Sequence, residues 1–223
     1  LTSSFNVPRG FVNDSAGNLF IAESGANMIR KITPAGVVSF FAGDGSFGDI
    51  DGPGNVASFR VPIDIAIDAM DNLYVTDSSN GSIRIITSTG VVSTFATLSG
   101  GTPYGIAIDA LGNLYVSDIS YHNIKKITPS GVVTTIAGGI GTTGSTDGNG
   151  TNARFNEPSG LAFDILGNLY IADSNNHRIR KLTPAGDVTT VAGTSQGYTN
   201  GNGNVAQFNN PNGIAIDIEG TID

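Results

Sequence analysis

Two aspartates stand in glycine-rich segments that are suited to holding a cation. Asp51 opens the segment DGPGNVASFRVP and Asp147 opens DGNGTNARFNEP, so both carboxylates are candidate Ca²⁺ ligands. Ca²⁺ takes about six to eight oxygen ligands, whereas each segment brings one carboxylate. The alternative is a turn followed by a structural plug, in which a recurring phenylalanine packs between neighbouring repeats. The plug residues would be Phe5, Phe59, Phe155 and Phe208.

An acid also opens each of four short polar loops. The loops are ESGANM, DSSNGS, DISYHN and DSNNHR, which begin at Glu23, Asp77, Asp118 and Asp173. An acidic rim of this kind can coordinate a metal or recognise a sugar. The recurrence favours turn chemistry instead, in which the carboxylate accepts backbone N–H bonds and pairs with a downstream base. A second recurring aspartate has the same interpretation, at Asp14, Asp68, Asp109, Asp164 and Asp217.

Residues that depart from the recurring pattern are better candidates for function. The residue after each recurring proline varies, and Asp64 replaces a glycine that the other copies keep. Aromatic, amide and charged groups on one wet face suit a protein or glycan ligand, although each is also typical of an ordinary exposed loop. The candidate ligand-binding residues are Arg9, Asp64, Tyr104, Tyr121, His122, Ser159, His177 and Asn212.

A block of 36 residues positions these side chains and occurs four times, at 8–43, 62–97, 103–138 and 158–193. Each block has four short segments rich in Ile, Val, Leu, Tyr and Thr, separated by turn sequences such as Leu-Gly-Asn. The first block predicts strands near 10–14, 18–23, 28–33 and 37–42, with almost no helix. One such meander cannot bury both faces, so the blocks should stack radially. The predicted fold is all-β, a β-propeller of four-stranded antiparallel blades.

The recurring motifs resemble those of the NHL-repeat family of β-propellers. They are the Pro-x-Gly-[ILF]-[AV]-x-Asp opening, Gly-Asn-Leu-[YF]-[VI]-x-[DE], and the [IL]-[RK]-[KI]-[IL]-Thr run, which together cover essentially the whole chain. The resemblance implies a propeller, usually of about six blades, but no single activity. Family members include surface binding modules, receptor sensor domains, RNA-binding regulators, metal-dependent lactonases and an amidating lyase. Function therefore has to be argued from the site.

We expect one propeller domain over 1–223, with repeats at 8–61, 62–102, 103–157 and 158–210 and a partial repeat at 211–223. The partial repeat should supply one inner strand. Rings normally close by completing a blade with strands from both termini, which removes exposed edges. We therefore expect these residues to belong to a ring of about five or six blades, which other chain segments or other chains complete.

All variation in length falls in four connecting inserts, at 44–61, 98–102, 139–157 and 194–210. In a propeller these connections share a face with the loops between the second and third strands. Variable loops on a rigid scaffold are where binding residues concentrate, so we expect the ligand on this face. Replacing 139–157 by the short 98–102 type should abolish binding and leave the fold intact.

The composition disfavours several classes of function. Lys plus Arg is 11 and Asp plus Glu is 19, for a formal net charge of −8, and the bases are spread over the repeats. An acidic chain without a basic stripe disfavours nucleic-acid binding. The sequence has no Cys, which excludes disulfides and thiolate chemistry. No apolar run approaches the ~20 residues of a membrane helix, so we expect no membrane insertion.

Enzymatic activity is the less favoured interpretation. The resemblance implies that a lactonase-like site would hold a metal at the channel mouth, where Asp64 is the only carboxylate and Arg9 would oppose a cation. We expect no catalytic residue and no cofactor, with Ca²⁺ as the alternative. We predict a binding or structural module of an exported or surface-attached bacterial protein, with a protein or glycan as ligand. The alternatives are a lactonase-like metal-dependent hydrolase and a cytoplasmic protein-interaction scaffold.

Overall fold

The computed structural model describes residues 4–217 and 221–222 of the chain. The fold is all-β, and its antiparallel sheets are the blades of a β-propeller. The chain forms two compact units, residues 1–108 and 109–223. The third repeat supplies its first strand to the first unit and its other strands to the second.

The first unit contains two complete blades and one further strand. The first blade has the order β1 (Pro8–Asn13), β2 (Leu19–Glu23), β3 (Met28–Ile32) and β4 (Val38–Ala42). The second blade runs from its outer edge inward as β5 (Gly52–Pro53), β9 (Val91–Thr97), β8 (Ser82–Ile86), β7 (Leu73–Asp77) and β6 (Pro62–Ile67). The further strand, β10 (Pro103–Ile108), lies against β6.

The second unit contains the rest of the third repeat and the whole fourth blade. Its strands are β11 (Leu114–Asp118), β12 (Asn123–Ile127), β13 (Val133–Ala137), β14 (Gly148–Asn149), β15 (Pro158–Phe163), β16 (Leu169–Asp173), β17 (Arg178–Leu182) and β18 (Asp187–Ala192). The fourth blade has the order β14-β18-β17-β16-β15. In the first block the bounds fall within two residues of the predicted strands, which confirms the periodicity argument.

Recurring aspartates build the turns that follow the first strand of each block. Asp109 Oδ1 accepts hydrogen bonds from the Leu111 and Asn113 N–H groups, both at 2.9 Å. Gly112 has a φ of +79°, which a glycine adopts without strain. Burial alone would raise the pKa of Asp109, but the Asn113 amide and these N–H donors outweigh burial and lower it. The turn interpretation of these aspartates is confirmed.

Two of the four inserts add a short strand to the predicted four-stranded blades. β5 pairs with the outer strand β9, and β14 pairs with the outer strand β18. An outer strand presents free N–H and C=O groups, and a short insert strand satisfies part of that edge. Two blades therefore have five strands rather than four. Because the insert 139–157 covers an edge, exchanging it for a short loop would not leave the fold intact.

The plug interpretation is confirmed for Phe59 and Phe155, which are both fully buried. Phe59 joins a core cluster with Ile29 of the first blade, so it lies between two blades. The Arg84 guanidinium carbon lies 5.2 Å from the Phe59 ring centroid, and that of Arg180 lies 5.2 Å from the Phe155 centroid. Each plug is thus closed by a cation stacked on its face.

The plug prediction is wrong for Phe208, which is half-buried, and for Phe5, which is 36% exposed. Phe208 approaches Gly193, but within the described residues no arginine stacks on its ring. The Arg30 guanidinium lies 5.7 Å from the Phe5 centroid and is itself partly exposed. The two fully buried plugs are thus the two that have a fully buried arginine stacked on the ring.

The predicted inner strand of the partial repeat is also not found. Residues 211–217 form no strand, and Ile216 makes one isolated antiparallel bridge to Ile222. Helix in the described residues is limited to the 3₁₀ turns Ser78–Asn80, Gly150–Asn152 and Ser174–Asn176. None of these described helices has the length and apolar character needed to cross a membrane.

Candidate functional site

Each short loop opens on a buried acid that pairs with a base on the following strand. In the second repeat Asp77 Oδ2 lies 3.1 Å from Arg84 Nη1, and both side chains are fully buried. Asp77 Oδ1 accepts a hydrogen bond from the Arg60 N–H at 2.6 Å. These acids organise their loops, as the turn interpretation predicted. The four pairs are Glu23–Arg30, Asp77–Arg84, Asp118–Lys125 and Asp173–Arg180.

The candidate Ca²⁺ ligands Asp51 and Asp147 reach two of the same arginines from the inserts. Asp51 Oδ1 lies 2.6 Å from Arg84 Nη2, and Asp147 Oδ1 lies 2.8 Å from Arg180 Nη2. Burial would raise the pKa of Asp147, but the Thr190 N–H and hydroxyl and the Arg180 charge outweigh burial and lower it. A guanidinium brings several N–H donors and occupies the place that a cation would take.

The described residues contain no cluster suited to a metal ion. Nowhere in 4–217 or 221–222 do three or more His, Asp or Glu side chains converge as a ligand set. Ca²⁺ needs several oxygens around one point, and each insert brings its single carboxylate to an arginine instead. The geometry of both inserts therefore favours an arginine-centred structural link.

Asp64 is a titratable carboxyl set among the inner strands of the first unit. Its Oδ1 accepts the Ile65 N–H at 2.9 Å, and its Oδ2 accepts the Ile106 N–H of β10 at 3.1 Å. A Cβ added at Gly10 would lie 2.6 Å from the Asp64 Cα, so glycine is required where β1 and β6 approach. Burial raises the pKa of Asp64 to about 6, and the two N–H donors offset only part of that rise.

The two histidines tie their loops to the backbone that enters the next repeat. His122 Nδ1 accepts the Glu157 N–H at 3.1 Å, and His177 Nδ1 accepts the Asn210 N–H at 3.2 Å. Asn27 makes the same contact through Oδ1 at 3.1 Å in the first repeat. All three residues have a φ between 53° and 56°. Both imidazoles therefore have one ring nitrogen committed to a structural hydrogen bond.

Ser159 is a buried link, although it was predicted to lie on an exposed binding face. Its Oγ lies 2.6 Å from Ser174 Oγ and donates to the Asn212 carbonyl at 2.9 Å. The side chain is 4% exposed, so a ligand cannot reach it without displacing Asn212. Residue variation at this position reflects packing between neighbouring repeats.

The remaining candidates have separate surroundings in the two units. Arg9 is exposed, and the Tyr104 carbonyl accepts the Thr76 hydroxyl at 2.8 Å in the first unit. In the second unit Lys125 Nζ lies 5.4 Å from the Tyr121 ring centroid. The candidates thus divide between the two units. Arg9, Asp64 and Tyr104 belong to the first unit, and Tyr121, His122, Ser159, His177 and Asn212 belong to the second.

One Gly-x-Ser-x-Gly spacing occurs in the sequence, as GTSQG at 193–197. In α/β-hydrolases this spacing places a nucleophilic serine on a tight turn between a strand and a helix. Here it follows the outer strand β18 and enters an insert, with no helix after it in the described residues. Ser195 Oγ accepts the Gln207 Nε2–H at 2.9 Å. The motif therefore lacks the context that gives it chemistry.

An open cleft of about 510 Å³, lined by both polar and apolar groups, lies in the second unit between two inserts and the outer strand β18. We call it the insert cleft. The inserts 139–157 and 194–210 form two of its walls, so the predicted variable loops do meet at a cavity. Its polar lining residues are Ser145, Asp147, Arg178, Thr190, Thr194 and Asn204.

An apolar groove of about 560 Å³ lies at the opposite ends of the strands in the same unit. We call it the turn groove, since it follows the turns after β10, β15 and β17. The Tyr115 and Phe163 rings form one wall, with their centroids 4.9 Å apart and their planes close to perpendicular. Three large aliphatic side chains on the same turns are strongly exposed: Leu111 at 81%, Ile165 at 80% and Leu166 at 76%.

Residues 59–86 and 155–182 match the NHL repeat, and each span contains a plug phenylalanine with its acid–arginine pair. The chain contains NHL repeats. It is 37% identical to human NHL repeat-containing protein 2 over 83 residues, which are 35% of this chain and 11% of that protein.

Solved structures share the fold of this NHL-repeat chain. An auxiliary nutrient binding protein from Bacteroides thetaiotaomicron superposes with a TM-score of 0.81 at 21% identity, covering 98% of this chain and 56% of that one. A virginiamycin B lyase from Staphylococcus aureus gives 0.64 at 20% identity, covering 97% and 68%. The chain thus spans about half of the first structure and about a tenth of the human relative. At this identity the likeness is one of fold.

Neither cavity of this NHL-repeat chain was predicted from its sequence. Of the two charged residues in the insert cleft, Asp147 recurs in another insert as Asp51, whereas Arg178 has no basic equivalent in the other repeats. The signal that could have revealed it is the third-strand opening, which is Met28, Ser82, Asn123 and Arg178 in successive copies. Because three of the four repeats form this strand without a basic residue, the fold does not require one at position 178. A base there indicates a role other than folding.

Proposed function

We propose that this NHL-repeat chain is a non-enzymatic binding module that recognises a glycan in the insert cleft. The observation that carries the proposal is the convergence of hydroxyl, amide, carboxylate and guanidinium groups in one cavity between two inserts. A volume of about 510 Å³ suits a small ligand such as one or two sugar rings. The Bacteroides structure with a similar fold is described as an auxiliary nutrient binding protein, which is consistent with a binding role.

The polar groups of the insert cleft are held in place before any ligand arrives. Asp147 Oδ1 accepts the Thr190 hydroxyl at 2.9 Å, and Asp147 Oδ2 accepts the Thr190 N–H at 3.2 Å. Arg178 Nη1 donates to the Ser145 carbonyl at 3.2 Å. A sugar is bound through many directional hydrogen bonds, so side chains that are already ordered lose little entropy on binding.

Point substitutions test the proposal better than an exchange of inserts. Thr190→Val and Asn204→Ala each remove one polar group from the insert cleft, while Phe155 and the edge strand β14 stay in place. Each should weaken glycan binding by roughly 5- to 10-fold, since a neutral hydrogen bond contributes about 1 kcal/mol. The measurement is isothermal titration calorimetry against a panel of neutral, carboxylated and sulfated trisaccharides.

The second repeat offers a matched control. Thr94 donates its hydroxyl to Asp51 Oδ1 at 3.2 Å, which repeats the Thr190–Asp147 contact away from the cleft. Thr94→Val should leave glycan binding unchanged. Loss of affinity in this control as large as that in Thr190→Val would contradict the assignment of the cleft, and so would a panel in which no saccharide binds.

We further propose that this protein is exported or attached to the surface of a bacterial cell. The support is a polar, acidic chain rich in glycine, with 31 Gly among 223 residues, and a fold shared with bacterial structures. The test is fractionation of cells that express the tagged full-length gene product. Recovery in the cytosol alone would favour the alternative of a cytoplasmic interaction scaffold.

A protein ligand is the second candidate, and the turn groove favours it. Exposed Leu111 lines this groove with the Tyr115 and Phe163 rings, and together they form an apolar surface of the kind that peptides with large aliphatic side chains bind. A displayed peptide library should yield apolar sequences that bind the unchanged chain and fail to bind a Leu111→Glu, Leu166→Glu variant. A library that yields no such sequence would remove this candidate.

A further inference from the structure

We propose that the insert cleft selects an anionic saccharide, one that carries a carboxylate or a sulfate group, and that Arg178 supplies the recognising charge. The inference rests on the proposed glycan-binding function and adds the class of ligand to it. It depends on how the charges that line the cleft are partnered.

Arg178 is specific to the fourth repeat. The equivalent residues are Met28, Ser82 and Asn123 in the first three repeats, and all four repeats form the same pair of strands at this place. Three of the four repeats fold without a base there. Arg178 is therefore not part of the recurring acid–base framework, whose basic residue in this repeat is Arg180.

The Arg178 guanidinium has no carboxylate partner among the described residues. Its Nη1 donates to the Ser145 carbonyl at 3.2 Å and its Nη2 to the Thr194 carbonyl at 3.5 Å, the latter long for a hydrogen bond. Its Nε is buried and donates to no acceptor. Two neutral carbonyls leave most of a full positive charge uncompensated at the wall of the cleft.

Asp147, the acid in the same cleft, is fully partnered by hydrogen-bond donors, in contrast to Arg178. Asp147 Oδ1 receives the Arg180 guanidinium and the Thr190 hydroxyl, and Oδ2 receives the Thr190 N–H. Those donors also lower its pKa, which keeps Asp147 ionised and satisfied. An incoming anion therefore gains an interaction at Arg178 that the protein does not already supply, whereas an incoming cation would have to displace Arg180. The Thr190 hydroxyl donates to Asp147 and the Thr194 hydroxyl to the Ala206 carbonyl, so both oxygens can still accept hydrogen bonds from sugar hydroxyls.

The test compares three trisaccharides of similar size on the intact chain: trigalacturonate, neutral trigalactose and a sulfated trigalactose. We expect the two anionic probes to bind roughly 10- to 100-fold more tightly than the neutral one, as charge-assisted hydrogen bonds allow. Arg178→Gln should weaken binding of the two anionic probes far more than binding of trigalactose, so that the preference is lost. Arg178→Lys, which keeps the charge, should retain part of the preference. Raising the salt concentration should weaken only the anionic probes.

Each result decides the inference separately from the proposed function. Equal binding of all three probes by the unchanged chain would overturn the inference and leave glycan binding standing. Equal loss of trigalactose binding in Arg178→Gln would overturn it too, because Arg178 would then only brace the two inserts. If no probe binds, the proposed function fails as well. Tighter binding of trigalacturonate than of the sulfated probe assigns a carboxylate, and the reverse assigns a sulfate.

Discussion

Replacing Asp64 by Asn should remove a loss of stability with rising pH, which is opposite in sign to the effect of an acid whose pKa is lowered on folding, such as Asp109. Asp64 stands where other repeats have glycine, and its two carboxyl oxygens accept the Ile65 and Ile106 N–H groups. The asparagine has nearly the same shape but does not titrate. The substitution also replaces one acceptor oxygen by an NH₂ group, which adds a cost that does not vary with pH.

The expected magnitude follows from the pKa of Asp64. Burial raises it from 3.8 to about 6. Between about pH 4 and 6 the unfolded chain has lost the proton while the folded chain keeps it, so the folded state binds more protons and stability falls as pH rises. A difference of about 2 pKa units corresponds to about 3 kcal/mol. The decline ends above about pH 6, where both states are ionised.

The assay is urea unfolding, followed by far-UV circular dichroism at intervals from pH 4 to 8. The free energy of unfolding of Asp64→Asn minus that of the unchanged chain should rise by about 3 kcal/mol from pH 4 to 7 and then level off. Asp109→Asn is the control, because the pKa of Asp109 is lowered in the folded state. Its free energy of unfolding minus that of the unchanged chain should therefore stay nearly constant over this pH range. A level difference for Asp64→Asn would show that Asp64 ionises normally and would refute the buried-carboxyl account.

Three further predictions concern stability, each read from the urea midpoint. Phe155→Ala should cost about 3–5 kcal/mol, whereas the half-buried Phe208→Ala should cost about half as much, and equal costs would contradict the plug account. His122→Ala should lower stability by about 1–2 kcal/mol while His122→Asn, which mimics the first repeat, should lie within about 0.5 kcal/mol of the unchanged chain. Asp173→Asn should cost about 3–5 kcal/mol because a buried arginine loses its buried partner, and the half-exposed Asp147→Asn should cost markedly less.

The fold could be predicted because four copies of one block repeat the same strand and turn signals. Each local preference agrees with the others, so even strand bounds were accurate to two residues. The insert strands β5 and β14 were missed because Gly52–Pro53 and Gly148–Asn149 have no strand propensity. They form strands only because an outer edge lies beside them, which is a tertiary effect.

The candidate site was predicted less well, for a physical reason. A residue that differs between repeats indicates that its surroundings differ. It does not indicate whether the difference serves packing, a hydrogen bond or a ligand. Ser159 varies because it packs against Asn212, and His122 varies because asparagine and histidine can both accept the same N–H bond. Arg178 varies in the same way and yet lines a cavity. Its position between two inserts depends on their folded paths, which their glycine-rich sequences do not specify.

The most direct test of the central claim is to map the binding site on the intact chain by ¹H–¹⁵N NMR. Trigalacturonate is titrated into the labelled protein, and backbone and arginine Nε signals are followed. Binding in the insert cleft should shift the signals of Thr190, Thr194 and Asn204 and of Arg178 Nε, and should leave that of Asp64 unchanged. Shifts confined to the inner strands around Asp64, or to Leu111 and its neighbours in the turn groove, would contradict it.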